Sequence, residues 1–129
     1  MATILTSLYN AIFPPATDPM AAKQIAEVGA KTDLKLIAEN IVAVFSKSYC
    51  PYCNRAKDLI NTLNIEASKV GVIELDKESD GPAIQNYLLE KTGQRTVPNI
   101  FIKGKHLGGS DALSNAQATG ELSKLLASL

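Results

Sequence analysis

Apolar positions fall into two rhythms along this chain, one helical and one extended, and their alternation predicts the element order. From Lys23 onward, Ile25, Val28, Leu34 and Ile37 recur at mostly helical spacing, with Gly29 and the Thr32-Asp33 pair expected to divide the stretch into two helices. Ile41 to Phe45 is an unbroken apolar run rich in β-branched residues, which suits a strand buried on both faces. Ala56, Leu59, Ile60 and Leu63 then mark a helix ending near Asn64, and Val70 to Leu75 reads as a second strand. A strand, helix, strand order predicts a right-handed parallel crossover. Asp80 as N-cap, Pro82 in the first turn, Ile84, Tyr87 and Leu88, and a terminal Gly93 outline the next helix. Asn99 to Ile102 and Lys105 to Leu107, joined by Lys103-Gly104, predict a hairpin. Ser110 or Asp111 is expected to cap a helix through Leu113 and Ala116, and Thr119 or Gly120 to start a last one containing Leu122, Leu125 and Leu126. The fold class is α/β, a small mixed sheet flanked by helices, with no internal repeat and no low-complexity tract.

The segment before this pattern behaves differently. Residues 1–22 mix apolar residues with Ser, Thr and the breaker Pro14-Pro15, and carry no Lys or Arg, so they read as an extension to a domain spanning 23–129. They lack the charged start of a secretory signal, and their apolar stretch is too short to span a bilayer. The absence of arginine weakens a mitochondrial transit reading, while the scarcity of acids keeps it open. The expected location is therefore the cytoplasm, with the mitochondrion as the alternative if the extension is a targeting segment.

Length and charge narrow the class further. A chain of 129 residues with 46% hydrophobic content is long enough to bury one core without cross-links. Thirteen basic residues balance thirteen acidic ones, so no overall field draws it to nucleic acid or an anionic membrane. A monomer is the default expectation.

The chemistry concentrates in one place. Both cysteines lie in Cys50-Pro51-Tyr52-Cys53, where the first apolar strand passes into a helix. Two thiols so close cannot staple a framework, and in a reducing compartment such a pair reads as redox-active or metal-binding. A helix start favours a thiolate through unpaired N–H groups and the helix dipole, so Cys50 is the expected nucleophile, and Cys53, a turn later, points inward. Each unit of pKa depression needs about 1.4 kcal/mol, whereas an exposed helix end supplies roughly 0.3–1 kcal/mol. Hydrogen bonds and Lys47, three residues upstream, are expected to supply the rest. Pro51 suits an early helical position, where its missing N–H is not needed. Zinc would need further ligands, and the chain offers only His106, which reads as a hairpin surface residue; no metal is expected.

Three segments carry a resemblance. Lys47-Ser48-Tyr49-Cys50-Pro51-Tyr52-Cys53, Gln94-Arg95-Thr96-Val97-Pro98-Asn99 and Gly108-Gly109-Ser110-Asp111 closely resemble, in order and spacing, the motifs of dithiol glutaredoxins. The likeness covers roughly residues 23–129. It implies a thioredoxin-like fold, a four-stranded mixed β-sheet flanked by helices on both faces, with glutathione as co-substrate and electron donor. It also implies a cis Val97-Pro98 bond that turns the Val97 backbone toward an extended peptide, with Thr96 and Pro98 beside it; X-Pro is the linkage where cis is cheap. Gly109, Ser110 and Asp111 would receive the γ-glutamyl end, helix N–H groups meeting the carboxylate and Asp111 the α-amino group. Lys47 and Gln85, with Arg95 as a further candidate, would meet the glycine carboxylate, and Tyr52 would wall the groove.

The implied partners are glutathione, glutathionylated proteins and disulfide-containing proteins. One thiol, Cys50, suffices to reduce a glutathione mixed disulfide; protein disulfides need Cys53 as well. Two alternatives stand beside this. In one, Cys50 and glutathione from two subunits ligate a [2Fe–2S] cluster, although Pro51 stiffens the loop against it. In the other the chain is a thioredoxin, but it has no tryptophan and carries Pro-Tyr between its cysteines.

Overall fold

The computed structural model describes residues 31–127. The expectations for residues 1–22, and for Ile25, Val28 and Gly29, lie outside them. Among the described residues, helical residues 31–39 (α1) lead into β1 (Val42–Ser46), α2 (Pro51–Asn61), β2 (Val70–Glu74), α3 (Gly81–Thr92), β3 (Asn99–Ile102), β4 (Lys105–Gly108), α4 (Ser110–Thr119) and α5 (Glu121–Ala127). The strands form one sheet in the order β2-β1-β3-β4, with β1 parallel to β2 and the other pairs antiparallel. This is the four-stranded mixed sheet of a thioredoxin-like fold.

The unbroken apolar run of β1 is explained by its central place. Val42 and Val44 face a core shared with Ile100, Ile102, Ala56, Ile60, Leu113 and Leu122, while Ala43 and Phe45 face a second core with Ile37, Leu75, Ile84, Leu88 and Phe101. Alternate residues thus enter opposite layers, and both must be apolar. Phe45 meets Phe101 edge to face at 5.9 Å, a geometry that adds about 0.5–1.5 kcal/mol to simple burial.

Element boundaries differ from the sequence expectations where local bonds intervene. The helix runs through the Thr32-Asp33 pair, and Thr32 Oγ1 donates to Asp80 Oδ2 at 3.1 Å. The same bond engages the Asp80 carboxylate, and Asp80 occupies the N-cap position of α3 without a side-chain cap bond. The N-cap of α4 is Gly109 rather than Ser110 or Asp111, which form the first turn. α2 ends at Asn61, short of Asn64, whose φ of 57° is left-handed. Gly120, with φ 80°, closes α4, so α5 starts only at Glu121. Lys103 and Gly104 both have positive φ, 52° and 81°, the pattern of a type I′ hairpin turn.

Candidate active site

The CPYC segment sits where β1 ends and α2 begins, at the carboxyl end of the parallel pair. Cys50 is the N-cap of α2 with extended backbone, and Pro51 is the first helical residue. Helical spacing then separates the two sulfurs. Cys53, Ala56 and Ile60 share the buried stripe of α2, so Cys53 is 0% exposed while Cys50 is half-buried at the rim.

Their acidities move in opposite directions. Desolvation resists ionisation of Cys50, but the Cys53 N–H, the Cys53 thiol, the Tyr52 N–H and the charge of Lys57 outweigh it, and its pKa lies below the ordinary thiol value. Burial pushes the Cys53 pKa up, against bonds from the Lys47 N–H and the Ser46 hydroxyl. The Lys47 N–H donates to Cys53 Sγ at 3.5 Å. The cation among the leading influences on Cys50 is thus Lys57, not the expected Lys47.

Cys50 Sγ lies 4.0 Å from the Val97 carbonyl oxygen. The Val97-Pro98 peptide is cis, as expected. Next to it opens a cleft of about 450 Å³ lined by Tyr52, Gln94, Thr96, Val97, Pro98, Gly109, Ser110, Asp111 and Ala112. Seven of the expected ligand-binding residues therefore converge, although their segments are far apart in sequence. Tyr52 is 56% exposed and stacks against Arg55, whose guanidinium carbon is 5.5 Å from the ring centre. The glycine demanded by the backbone here is Gly108, at φ 130°, where a Cβ would also meet Ala112 Cβ at 2.9 Å. Gly109 is less constrained, since a side-chain carbon there would make ordinary contact with the Pro98 carbonyl.

Lys47 and Gln85 line a different depression, of about 390 Å³, with Tyr49, Leu75, Asp76 and Pro82. Gln85 Nε2 donates to the Arg95 carbonyl at 2.8 Å, tying α3 to the segment that leads to Val97. Asp76 anchors the loop before Cys50 by accepting from the Ser48 N–H at 2.9 Å and from its hydroxyl. These bonds hold the Asp76 carboxyl below its usual range.

Four residues of the site were not singled out in the sequence reading. Gln94 Nε2 donates to both the Thr96 and Pro98 carbonyls at 3.0 Å. Its Oε1 is left to accept from His106 Nε2 at 3.2 Å. His106 is thus a brace for the cleft wall, its pKa lowered by burial. Beneath the cysteines, Lys57 Nζ donates to Glu74 Oε1 at 2.7 Å and the Ser46 hydroxyl to Glu74 Oε2 at 2.8 Å. Strand parity could have revealed this trio: Ser46 follows Val42 and Val44 on one face, Glu74 is its register partner, and Lys57 lies one turn beyond Cys53. Among the described residues no three histidine, cysteine or acidic side chains gather to hold a metal ion.

A poised, accessible thiol backed by a protonated, sealed one is suited to attack on a disulfide followed by resolution of the product. On a sheet of this topology, that defines a thioredoxin-like thiol–disulfide oxidoreductase. Residues 42–107 match the family model described as Glutaredoxin. The chain is 57% identical over 95 residues to glutaredoxin-1 of Rhizophagus irregularis, covering 74% of this chain and 91% of that protein. It is 52% identical over 92 residues to glutaredoxin-C2 of Arabidopsis thaliana, covering 71% and 80% respectively. Among solved structures it is similar to a buckwheat glutaredoxin–glutathione complex, with a TM-score of 0.76 and 44% identity over 81% of this chain and 93% of that one. The chain belongs to the glutaredoxin family.

Proposed function

We propose that this protein uses glutathione to reduce protein–glutathione mixed disulfides through Cys50 alone, and protein disulfides through Cys50 and Cys53 together. The observation that carries the reading is the inequality of the two thiols at one helix start. The Cys50 thiolate attacks the glutathione sulfur of a mixed disulfide; the new bond joins Cys50 to glutathione, and the protein thiolate leaves. A second glutathione thiolate attacks the Cys50-bound glutathione sulfur, releasing glutathione disulfide and regenerating Cys50. With a protein disulfide, Cys50 forms the mixed disulfide and Cys53 displaces the remaining protein thiolate. Two glutathione molecules then reduce the internal disulfide.

Glutathione fits the groove as an extended peptide. Its γ-glutamyl carboxylate meets N–H groups at the start of α4 by Ser110, and its α-amino group meets Asp111. Its cysteinyl backbone pairs with Val97, between Tyr52 and the Thr96-Pro98 wall. Its glycine carboxylate extends toward Lys47 and Gln85 in the adjoining depression. The complex of the similar buckwheat protein with glutathione supports glutathione as the ligand. A monomer working in the cytoplasm accords with the balanced charge and the reduced thiol pair, with the mitochondrial matrix as its place if residues 1–22 target it.

The test is glutathione-dependent turnover of a small glutathione mixed disulfide by the unaltered protein, Cys50→Ser and Cys53→Ser. We expect no activity from the first variant and retention of most activity by the second. An active Cys50→Ser variant, or turnover only with a flavoprotein donor, would overturn the proposal.

A further inference from the structure

Four successive carbonyls lead through the cleft wall, and side-chain amides engage three of them. The Arg95 carbonyl accepts from Gln85 Nε2 at 2.8 Å, and the Thr96 and Pro98 carbonyls each accept from Gln94 Nε2 at 3.0 Å. Among the described residues Val97 is the exception in this run, its carbonyl oxygen facing Cys50 Sγ at 4.0 Å. A peptide adding to an extended segment pairs with alternate residues, which here would be Arg95, Val97 and Asn99. The carbonyl of Arg95 is engaged by Gln85, and Asn99 is already paired with Phe45 of β1. The segment therefore presents one residue of backbone, not a strand.

We propose that His106 is the positioning residue that enforces this presentation, acting through Gln94, and that the pair thereby selects a γ-glutamyl tripeptide over an ordinary extended peptide. This rests on the glutathione reading proposed above. Gln94 Nε2 carries two hydrogens, and the Thr96 and Pro98 carbonyls take one each. The other end of the amide is then its oxygen, which only accepts, so His106 Nε2 at 3.2 Å must carry the proton. With no donor at Oε1 the amide turns more freely about its last side-chain bond, a torsion with broad minima. The Thr96 or Pro98 carbonyl is then released.

Both members of the pair are themselves held. His106 stands opposite Phe101 in the β3–β4 register with ring centres 5.2 Å apart, and Phe101 packs against Phe45 in the core. Gln94 follows Gly93, the left-handed C-cap of α3, and its N–H donates to the Thr92 hydroxyl at 3.0 Å. The Gln94 amide also approaches the opposite wall of the cleft, since a Cβ added at Gly109 would lie 3.9 Å from its Nε2. It thus stands between the Val97 segment and the start of α4, the span that runs from the cysteinyl residue of glutathione to its γ-glutamyl group. A tripeptide held at both ends uses that span. A longer α-linked chain does not, and it finds no second backbone residue to pair with.

The experiment is run in the Cys53→Ser background, where reaction stops after one step. The Cys50 thiolate attacks the peptide sulfur of a mixed disulfide between a peptide and a chromogenic aromatic thiol; the Cys50–peptide bond forms and the coloured aromatic thiolate leaves. Limiting rate and half-saturating concentration are measured for two such disulfides, one of glutathione and one of a pentapeptide with cysteine at its centre and alanine elsewhere. The proteins compared are Cys53→Ser alone and combined with His106→Ala or His106→Gln, with folding verified by thermal unfolding. His106→Ala should raise the half-saturating concentration of the glutathione disulfide roughly fivefold, the effect of one lost hydrogen bond, with little change in limiting rate. Preference for glutathione over the pentapeptide should fall by the same factor, and His106→Gln, whose amide nitrogen can take the place of Nε2, should restore both. An unchanged preference in His106→Ala, or His106→Gln as impaired as His106→Ala, would overturn the inference and leave the histidine as packing on Phe101. A pentapeptide that reacts as well as glutathione in the Cys53→Ser protein itself would instead overturn the glutathione reading and this inference with it.

Discussion

The space above the start of α2 and the layer beneath it are built from different materials. Above, around Cys50, the walls are backbone and small or exposed side chains: Val97, Pro98, Gly109, Ser110, Asp111 and Tyr52. Beneath, around Cys53, a short polar chain of Ser46, Glu74 and Lys57 is set into apolar surroundings. The upper region leaves a thiolate accessible and offers a peptide ligand donors and acceptors that stay fixed. The lower one keeps a thiol protonated and shielded from solvent. Only Pro51 and Tyr52 lie between the two cysteines, so one helix start places two thiols in opposite chemical states.

The sharpest break of this contrast is removal of Cys50. Cys50→Ser should lower turnover of mixed disulfides and of protein disulfides alike by at least roughly three orders of magnitude, whereas Cys53→Ser should abolish only the second activity. Glutathione-coupled assays with both substrate types read this directly.

Asp33 sharpens the contrast from outside the site. It is a completely buried acid whose carboxylate oxygens have no hydrogen-bond partner among the described residues, and burial pushes its pKa from 3.8 up to about 6, against the pull of Lys91. Glu74, bonded to Ser46 and Lys57, is an acid for which the fold supplies partners. Because the folded pKa of Asp33 is the higher one, stability is full below pH 3.8 and is lost as pH rises through about 6. Asp33→Asn should therefore stabilise the protein at pH 7 by up to about 3 kcal/mol and flatten this part of the profile in urea unfolding measured from pH 4 to 7.5.

Smaller changes probe each region separately. Lys57→Met leaves the partly buried Glu74 without its cation, so we expect a loss of about 1–2 kcal/mol in thermal unfolding. It should also move the Cys50 titration upward, since the Lys57 charge favours that thiolate. Gln94→Ala removes two bonds to the wall carbonyls and one to His106, and should raise the KM for glutathione by roughly tenfold with little change in kcat, consistent with about 1 kcal/mol per bond lost in part to water. Asp111→Ala should raise that KM only severalfold, as expected of an exposed charge pair worth up to about 1 kcal/mol.

Much of this was legible along the chain, and the exceptions have physical causes. The element order and the burial of β1 on both faces followed from periodicity, and the gathering of Val97, Pro98 and Asp111 near Cys50 was implied by the resemblance to dithiol glutaredoxins. Helix ends did not, because a single side-chain bond or a left-handed residue such as Asn64 or Gly120 decides them. The polar layer beneath Cys53 was hidden for a different reason. Ser46 and Glu74 each stand at the end of a strand, where a polar residue normally signals exposure; only the parallel register that pairs them across β1 and β2 turns both onto the face holding Lys57 and Cys53. Lys57 in turn reads as an ordinary solvated position of α2 until Glu74 is placed opposite it. The bracing role of Gln94 leaves no mark in the sequence, because its amide acts on backbone carbonyls two and four residues downstream.

The inequality of the two thiols is tested most directly by mapping their alkylation in one sample. The reduced protein is treated briefly with iodoacetamide at a series of pH values, and modification of Cys50 and Cys53 is quantified separately by peptide mass spectrometry. We expect Cys50 to be carboxamidomethylated at neutral pH with a midpoint below that of an ordinary thiol, while Cys53 stays unmodified until well above it. Equal labelling of the two, or earlier labelling of Cys53, would contradict the assignment of nucleophile and resolving thiol.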